Sequence, residues 1–235
     1  MISARFQTDR MVLHSVPRLT LDALRTREER LAFWINAYNA LVAEGIQALG
    51  IRQSVWEVPD FFARICSRIG GLVFSADEVE HGVLRGNRPS PLARRVPFPV
   101  GDPRRPYAIT PLDPRIHFAI SCGARSCPPV RIYHPRGLDE QLDAATRAFL
   151  EREVTLDGES LMASELFKWF REDFDDFPEG LVAFLARYLQ DGAVRRAVLE
   201  QGVEGMTWRT YDWRLQLPVP TAPDGGGHER WTAPA

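Results

Sequence analysis

From Ala32 to Leu41 the chain reads Ala-Phe-Trp-Ile-Asn-Ala-Tyr-Asn-Ala-Leu. As a helix this segment is apolar nearly all round, and such a helix must be buried on most of its faces. The pattern of Leu31, Ile35, Leu41, Val42, Ile46 and Leu49 has a helical period. Thr26-Arg27-Glu28-Glu29 reads as a capping box in front of it, and Gly50 as its stop. The rest of the chain must therefore wrap this helix. Asn36 and Asn39 interrupt the apolar surface on one side, three residues apart. Two buried amides need partners, because an orphaned one costs ~1–3 kcal/mol. They are expected to face the cysteine turn at Cys122–Cys127 and hold its backbone, or to orient a neighbouring imidazole.

The remaining patterns are short and mixed. Ile69-Gly70-Gly71-Leu72-Val73-Phe74 reads as a hairpin with a glycine turn. Ser75-Ala76-Asp77-Glu78 is a second capping box, and the helix it opens carries Glu80, His81 and Arg85. Residues 87–106 are rich in Pro and Arg and read as a long loop or lid. Ile116–Ser121, short, apolar and bounded by turn residues, reads as a central strand, with Val130–Tyr133 as a second. Helices are expected near Leu138–Glu151, Ser164–Phe170, Leu181–Leu189 and Ala193–Glu200. An edge strand is expected at Val154–Leu156 and a last strand from Met206 to Leu217. The fold class is α+β, with helices packed on a small, mostly antiparallel or mixed sheet. One domain is expected over residues 20–217, after an irregular segment 1–19 and before a disordered tail 218–235 rich in Pro and Gly.

Composition excludes several function classes. Of 235 residues, 45% are hydrophobic and 26% charged, the balance of a globular protein. A net charge of −2 gives no general attraction to nucleic acid. No apolar run reaches the ~18–20 residues of a membrane span, and residues 1–10 lack the apolar core of a signal peptide. Three cysteines do not make a disulfide scaffold, so the expected setting is a reducing cytoplasm. No motif asks for a cofactor. The expected ligand is a small molecule or a peptide.

Chemistry is expected at Cys122-Gly-Ala-Arg-Ser-Cys127-Pro-Pro. Gly123 permits a sharp turn and a close approach to its backbone, and Pro128 and Pro129 stiffen the exit. Arg115, Arg125 and Arg131 are near in sequence, and any that is near in space would favour a thiolate. One reading makes both cysteines small buried hydrophobes, in a non-catalytic interaction module with a structural polar core. Another makes Cys127 or Cys122 a nucleophile with His117 or His81 as base, Asn36 or Asn39 as orienter and turn N–H groups binding an oxyanion. Strand alternation, which sets His117 and Cys122 on opposite faces, favours Cys127 in that role. A third reading is a dithiol redox pair, since the four-residue gap can close a small ring. A zinc site of His117, Cys122 and Cys127 ranks last, because the spacing is poor for a metal. Glu80, Arg85, Arg115 and Ser126 are candidate supporting residues. Phe167–Phe174 and Trp213 read as core, and Asp212 as an Arg partner or a turn cap.

Five blocks together resemble a known family. They are Leu31–Ala40, Val79–Arg85, Asp113–Gly123 running on to Ser126–Pro129, Phe167–Phe174 and Tyr211–Trp213. In this order they resemble the family catalogued as domain of unknown function 547, over about residues 27–216. The resemblance implies membership of that fold and no established reaction. Some relatives are fused to glutaredoxin-like domains, an association with thiol chemistry. Gln216 departs from the pattern, where Asn is expected.

Overall fold

The structure, a computed structural model, describes residues 11–16, 21–91 and 95–216. Helix α1 spans Arg27–Ala48 and is capped as its sequence predicts: Glu29 N–H donates to Thr26 Oγ1, and Thr26 N–H donates to the Glu29 carboxylate. Its apolar surface is buried on most sides, with Trp34, Ile35 and Tyr38 at most 2% exposed. Two three-stranded sheets flank the helical body. In the first, β1 (Met11–Val16) runs parallel to β2 (Ile65–Ile69), and β2 pairs antiparallel with β3 (Leu72–Ser75) across the Gly70-Gly71 turn. In the second, β4 (Thr155–Asp157) pairs antiparallel with β5 (Ser160–Ser164), which runs parallel to β6 (Thr207–Arg209). The α+β class with small mixed sheets is therefore observed. One turn of helix, α2 (Phe61–Arg64), precedes β2. Helices α3 (Leu138–Glu153), α4 (Leu166–Trp169), α5 (Arg171–Asp175), α6 (Gly180–Tyr188) and α7 (Ala193–Gln201) follow.

Several expectations are corrected. Met11–Val16, inside the segment expected to be irregular, is a strand. The expected tail 218–235 lies outside the described residues. Ile116–Ser121 is not a strand: Pro114–Phe118 forms a 3-10 helix. Asp113 caps it by accepting from Arg115 N–H at 3.0 Å, and Pro114 occupies its first turn. Asp113-Pro114 is a helix-start signal, and the apolar run behind it is too short to show a strand or a helical period. Val130–Tyr133 is irregular, with Val130 and Ile132 exposed. Strand β5 was missed, although Asp157-Gly158 is a hairpin signal. The last strand is only three residues long. Beyond it, isolated bridges join Arg214 to Ser54 and Leu215 to Ala124.

The second capping box forms as expected, with Ser75 and Glu78 exchanging side-chain and backbone hydrogen bonds. The helix it opens is a π-helix, Glu78–Leu84. Gly82 lies against the Phe98 ring, where a Cβ would sit 2.3 Å from a ring carbon. The 87–106 loop is pinned at this point: Asn87 donates to Phe98 O and accepts from Phe98 N–H.

Candidate functional site

The two Asn residues of α1 serve different loops. Asn39 donates to Ala119 O at 3.0 Å and accepts from Ser121 N–H at 2.9 Å, so it holds the entry to the cysteine turn. Asn36 instead serves Tyr133, donating to its O at 2.7 Å and accepting from its N–H at 2.9 Å. Neither orients an imidazole through these bonds. Gly123, at φ +84°, is approached closely by Ile46 of α1, whose Cδ1 would lie 2.6 Å from a Cβ there. The close approach to its backbone comes from the core helix.

Cys122 and Cys127 are joined as a disulfide, with Cα atoms 6.3 Å apart, and Cys66 is buried and outside it. The Tyr211 hydroxyl contacts both sulfurs, at 2.9 Å from Cys127 and 3.4 Å from Cys122. Burial pushes the Tyr211 pKa well up, so its O–H stays protonated. The turn is zipped to the segment carrying this tyrosine. Arg125 and Ser126 N–H donate to Arg214 O and Asp212 O, and Asp212 N–H donates to Ser126 Oγ. Asp212 also pairs with Arg214, as expected of an Arg partner. The N–H groups of Cys122, Gly123 and Cys127 are spent as well, on Cys127 Sγ, Ser121 Oγ and Ala124 O. These N–H groups, the expected oxyanion donors, are committed within the fold.

The histidines belong to a second cluster, organised by a residue that the sequence reading passed over. Asp173 of α5 is fully buried. It accepts from Arg85 Nε at 2.5 Å and Nη2 at 2.9 Å, from Arg88 Nη1 at 3.1 Å, and pairs with His117 Nε2 at 2.8 Å. Burial alone would raise its pKa, but the hydrogen bonds from His117 and Arg85 hold it far below the carboxylate range. As an ionised carboxylate can only accept, His117 must carry its proton on Nε2, leaving the lone pair on Nδ1. Arg85 Nη1 lies 3.0 Å from His81 Nδ1. Arginine can only donate, so His81 is protonated on Nε2, which faces Asp77 at 3.4 Å. Burial, and then Arg85, hold the His81 pKa well below its usual value; burial also lowers that of His117.

Arg115 is not part of this site. It is tied to Asp113, Asp139 and Asp143 against α3, where it cannot favour a thiolate. Arg125 is exposed, and its backbone rather than its guanidinium is what holds the turn. Among the described residues, no three His, Cys, Asp or Glu side chains are arranged to hold a metal ion.

Both clusters open on one cavity of about 340 Å³. Its lining includes both cysteines, Tyr211, His117, His81 and Glu80. Glu80 interacts with the Tyr38 hydroxyl, and burial pushes its pKa up to about 7. Trp169, Phe170 and Trp213, expected as core, line the cavity too. Phe170 stacks on His117 at 4.2 Å, with the Arg85 guanidinium 4.8 Å from its ring centre. Phe167 and Phe174 are core as expected. The cavity brings together the cysteines, the histidines and Glu80 named from the sequence, with Tyr211 and the tryptophans, which were not named as site residues, and Asp173 lies behind the histidines. Asp173 carried a weaker signal than Asn36: it is one of two acids, next to Glu172, among the aromatic residues of Phe167–Phe174.

The fold and this cavity define a class: an α+β domain that sets a disulfide, two imidazoles of lowered pKa and a carboxyl group of raised pKa against an aromatic wall. The family described as "Protein of unknown function, DUF547" matches residues 21–150, more than half of the chain, and the protein belongs to that family. No curated protein and no solved structure matches it. No helix among the described residues is long and apolar enough to cross a membrane.

Proposed function

We propose that the protein is a cysteine-dependent enzyme of the thiol–disulfide exchange type, acting on a small thiol or a cysteine-containing peptide in this cavity. The observation that carries the reading is the cysteine pair, bonded and lining a cavity that also holds Glu80 and the Tyr211 hydroxyl. A hydrolase or transferase using this turn would need free oxyanion donors, and the turn's N–H groups named above are spent internally. Exchange needs none.

In this scheme a substrate thiolate attacks Sγ of Cys122, which is partly exposed, whereas Cys127 is 3% exposed. A substrate–Cys122 bond forms and the Cys122–Cys127 bond breaks. Cys127 leaves with the electron pair as a thiolate, steadied by the Tyr211 O–H. A second substrate thiolate then attacks the substrate sulfur of the mixed disulfide and releases Cys122. The substrate dithiol loses two electrons and the cysteine pair gains them. An external disulfide, such as oxidised glutathione, restores the pair by the reverse sequence. Glu80, with its pKa near 7, takes the proton of the incoming thiol. This order makes Cys122 the attacked sulfur and Cys127 the resolving one, the reverse of the expectation from strand alternation.

The test is exchange with oxidised and reduced glutathione, followed sulfur by sulfur by mass spectrometry. The wild type is expected to cycle between dithiol and disulfide and to catalyse thiol oxidation. Cys127→Ser should trap glutathione on Cys122, and Cys122→Ser should exchange at background rate. Wild-type exchange no faster than that of the Cys122→Ser variant would overturn the reading and leave a non-catalytic interaction module with a structural polar core.

A further inference from the structure

We propose that the cavity takes an organic ammonium cation, held between a tryptophan–tyrosine wall and the carboxylates of Asp77 and Glu80. The inference names the ligand class of the site just described and rests on that cavity being where the protein binds its substrate. It does not depend on what the sulfurs do.

The wall is continuous. Trp213 packs on Tyr211 with ring centres 4.7 Å apart, on Trp169 at 5.8 Å and on Trp56 at 4.8 Å, and Trp169 packs on Tyr211 at 5.0 Å. All four rings line the cavity. An indole or phenol face attracts a cation within about 6 Å of its centre, and most strongly where water is displaced. A cluster this close gives one bound cation several faces.

The charge of the lining has one sign. Asp77, 3.4 Å from His81 Nε2, contributes a carboxylate and Glu80 a carboxyl group with a pKa of about 7 that a bound cation would ionise, and among the described residues that line the cavity there is no lysine or arginine, in a chain that has 29. The nearest buried cation is compensated: Arg85 spends its guanidinium on Asp173, His81 and Pro89 O. Both imidazoles are held neutral, so neither opposes a bound cation. An anionic ligand would meet two carboxylates and no positive charge within the described wall. A neutral apolar ligand would desolvate Asp77 and drive Glu80 to its neutral form, with no attraction gained in return. An ammonium satisfies both surfaces. At about 340 Å³ the cavity is at the small end of ligand sites, suited to one head group or one side chain.

The experiment compares three molecules of nearly one shape: choline, its neutral isostere 3,3-dimethylbutan-1-ol, and the anion 3,3-dimethylbutanoate. Binding is read by tryptophan fluorescence and by calorimetry on the wild-type protein. A trimethyllysine peptide forms a further arm, and tight binding of the peptide with weak binding of choline would place the ammonium on a polypeptide. Choline, or that peptide, is expected to bind about tenfold more tightly than the alcohol, with the carboxylate weakest. Glu80→Gln and Asp77→Asn should each shrink the preference for the cation while leaving alcohol binding unchanged. Alcohol binding as tight as that of both cations, tighter binding of the carboxylate, or no binding of any probe would overturn the proposal. The same titrations on the Cys122→Ser/Cys127→Ser double variant separate the two readings. Retained cation preference there, with no disulfide exchange in the wild type, keeps the ligand class and removes the redox step. Exchange in the wild type without cation preference does the opposite.

Discussion

The histidine side of the cavity and its sulfur side are both made of buried polar atoms, yet they are built on different terms. On the histidine side the charges close on one another: Asp173 takes hydrogen bonds from Arg85, Arg88 and His117, and Arg85 reaches on to His81. On the sulfur side the backbone is closed but the side chains are not. The turn's N–H groups are spent, that of Cys122 on Cys127 Sγ itself, while the Tyr211 hydroxyl reaches both sulfurs and Glu80, across the cavity and 3.8 Å from His81 Nδ1, is pushed toward its neutral form. A group whose hydrogen bonds are all used inside the fold is held in one protonation state and one orientation. Of the atoms attractive as bases in the sequence, His81 Nδ1 is held in this way by Arg85 and His117 Nε2 by Asp173. The groups left able to change state are Glu80 and the two sulfurs.

The largest effect is expected from breaking the closed side. Asp173→Asn keeps the shape but leaves Arg85, 3% exposed, without its counter-charge. An uncompensated buried charge of this kind costs about 3–5 kcal/mol. Urea unfolding at pH 7 measures it. A loss below about 1 kcal/mol would show that water reaches Arg85 and that the cluster is not closed. Replacing Arg85 and Asp173 together by apolar residues of similar volume should cost much less than the single change, because no charge is then stranded.

The next effect tests the open side by pH. The Glu80 pKa in the folded state is about 7, above the ordinary 4.5. The folded state therefore holds the proton more tightly than the unfolded chain does. That contribution to stability is fully present below about pH 4.5 and is lost as pH rises through 7, amounting to about 3 kcal/mol from this shift. Asp173, with its pKa lowered, behaves in the opposite sense: its contribution is present above the unfolded value of 3.8 and is lost as pH falls toward its folded value. The lowered histidines also oppose Glu80, losing stability as pH falls below about 6.5. The informative quantity is thus the difference between Glu80→Gln and wild type. The variant should gain on the wild type by about 2.5 kcal/mol between pH 5 and pH 8, read from urea midpoints. A constant difference across that range would mean that Glu80 is ionised throughout and that the sulfur side has no group poised near neutrality.

The two sides were unequally legible in the sequence. Local rules gave α1, whose Thr26 box and apolar period are complete within one stretch, and they gave the Ser75–Glu78 box. They also marked the cysteine turn, because two cysteines around a glycine, followed by two prolines, are conspicuous without any partner. The closed cluster was not legible, because its members are far apart: His117 and Asp173 lie 56 residues from each other and Arg85 and Asp173 lie 88. No spacing rule joins such residues. The Pro114–Phe118 segment failed for another reason. Ile116, His117 and Phe118 are all buried, so the chain shows neither alternation nor a helical stripe. Tyr211 and Trp213 could be read as core because an aromatic residue facing a cavity has the same composition signal as one facing a neighbour.

The smallest expected effect concerns what holds the two sides in register with α1. Asn39 serves Ala119 and Ser121, which lie between the histidine-bearing 3-10 helix and Cys122. Asn36 serves Tyr133, beyond the turn and away from both clusters. Each Asn→Leu change orphans one backbone N–H and one C=O, and each should cost roughly 1–3 kcal/mol. The cost for Asn39 should be the larger of the two, since it is 4% exposed and Asn36 is only partly buried, so that water can replace some of what Asn36 loses. The changes should differ more in what they do to the site. Asn39→Leu frees the peptide that sets Cys122 in place, and iodoacetamide labelling of Cys122 in the reduced protein should speed up. Asn36→Leu should lower the melting temperature and leave that labelling rate as it was. Equal labelling in the two variants would mean that the zipper to Asp212 and Arg214 fixes the cysteine turn without help from α1.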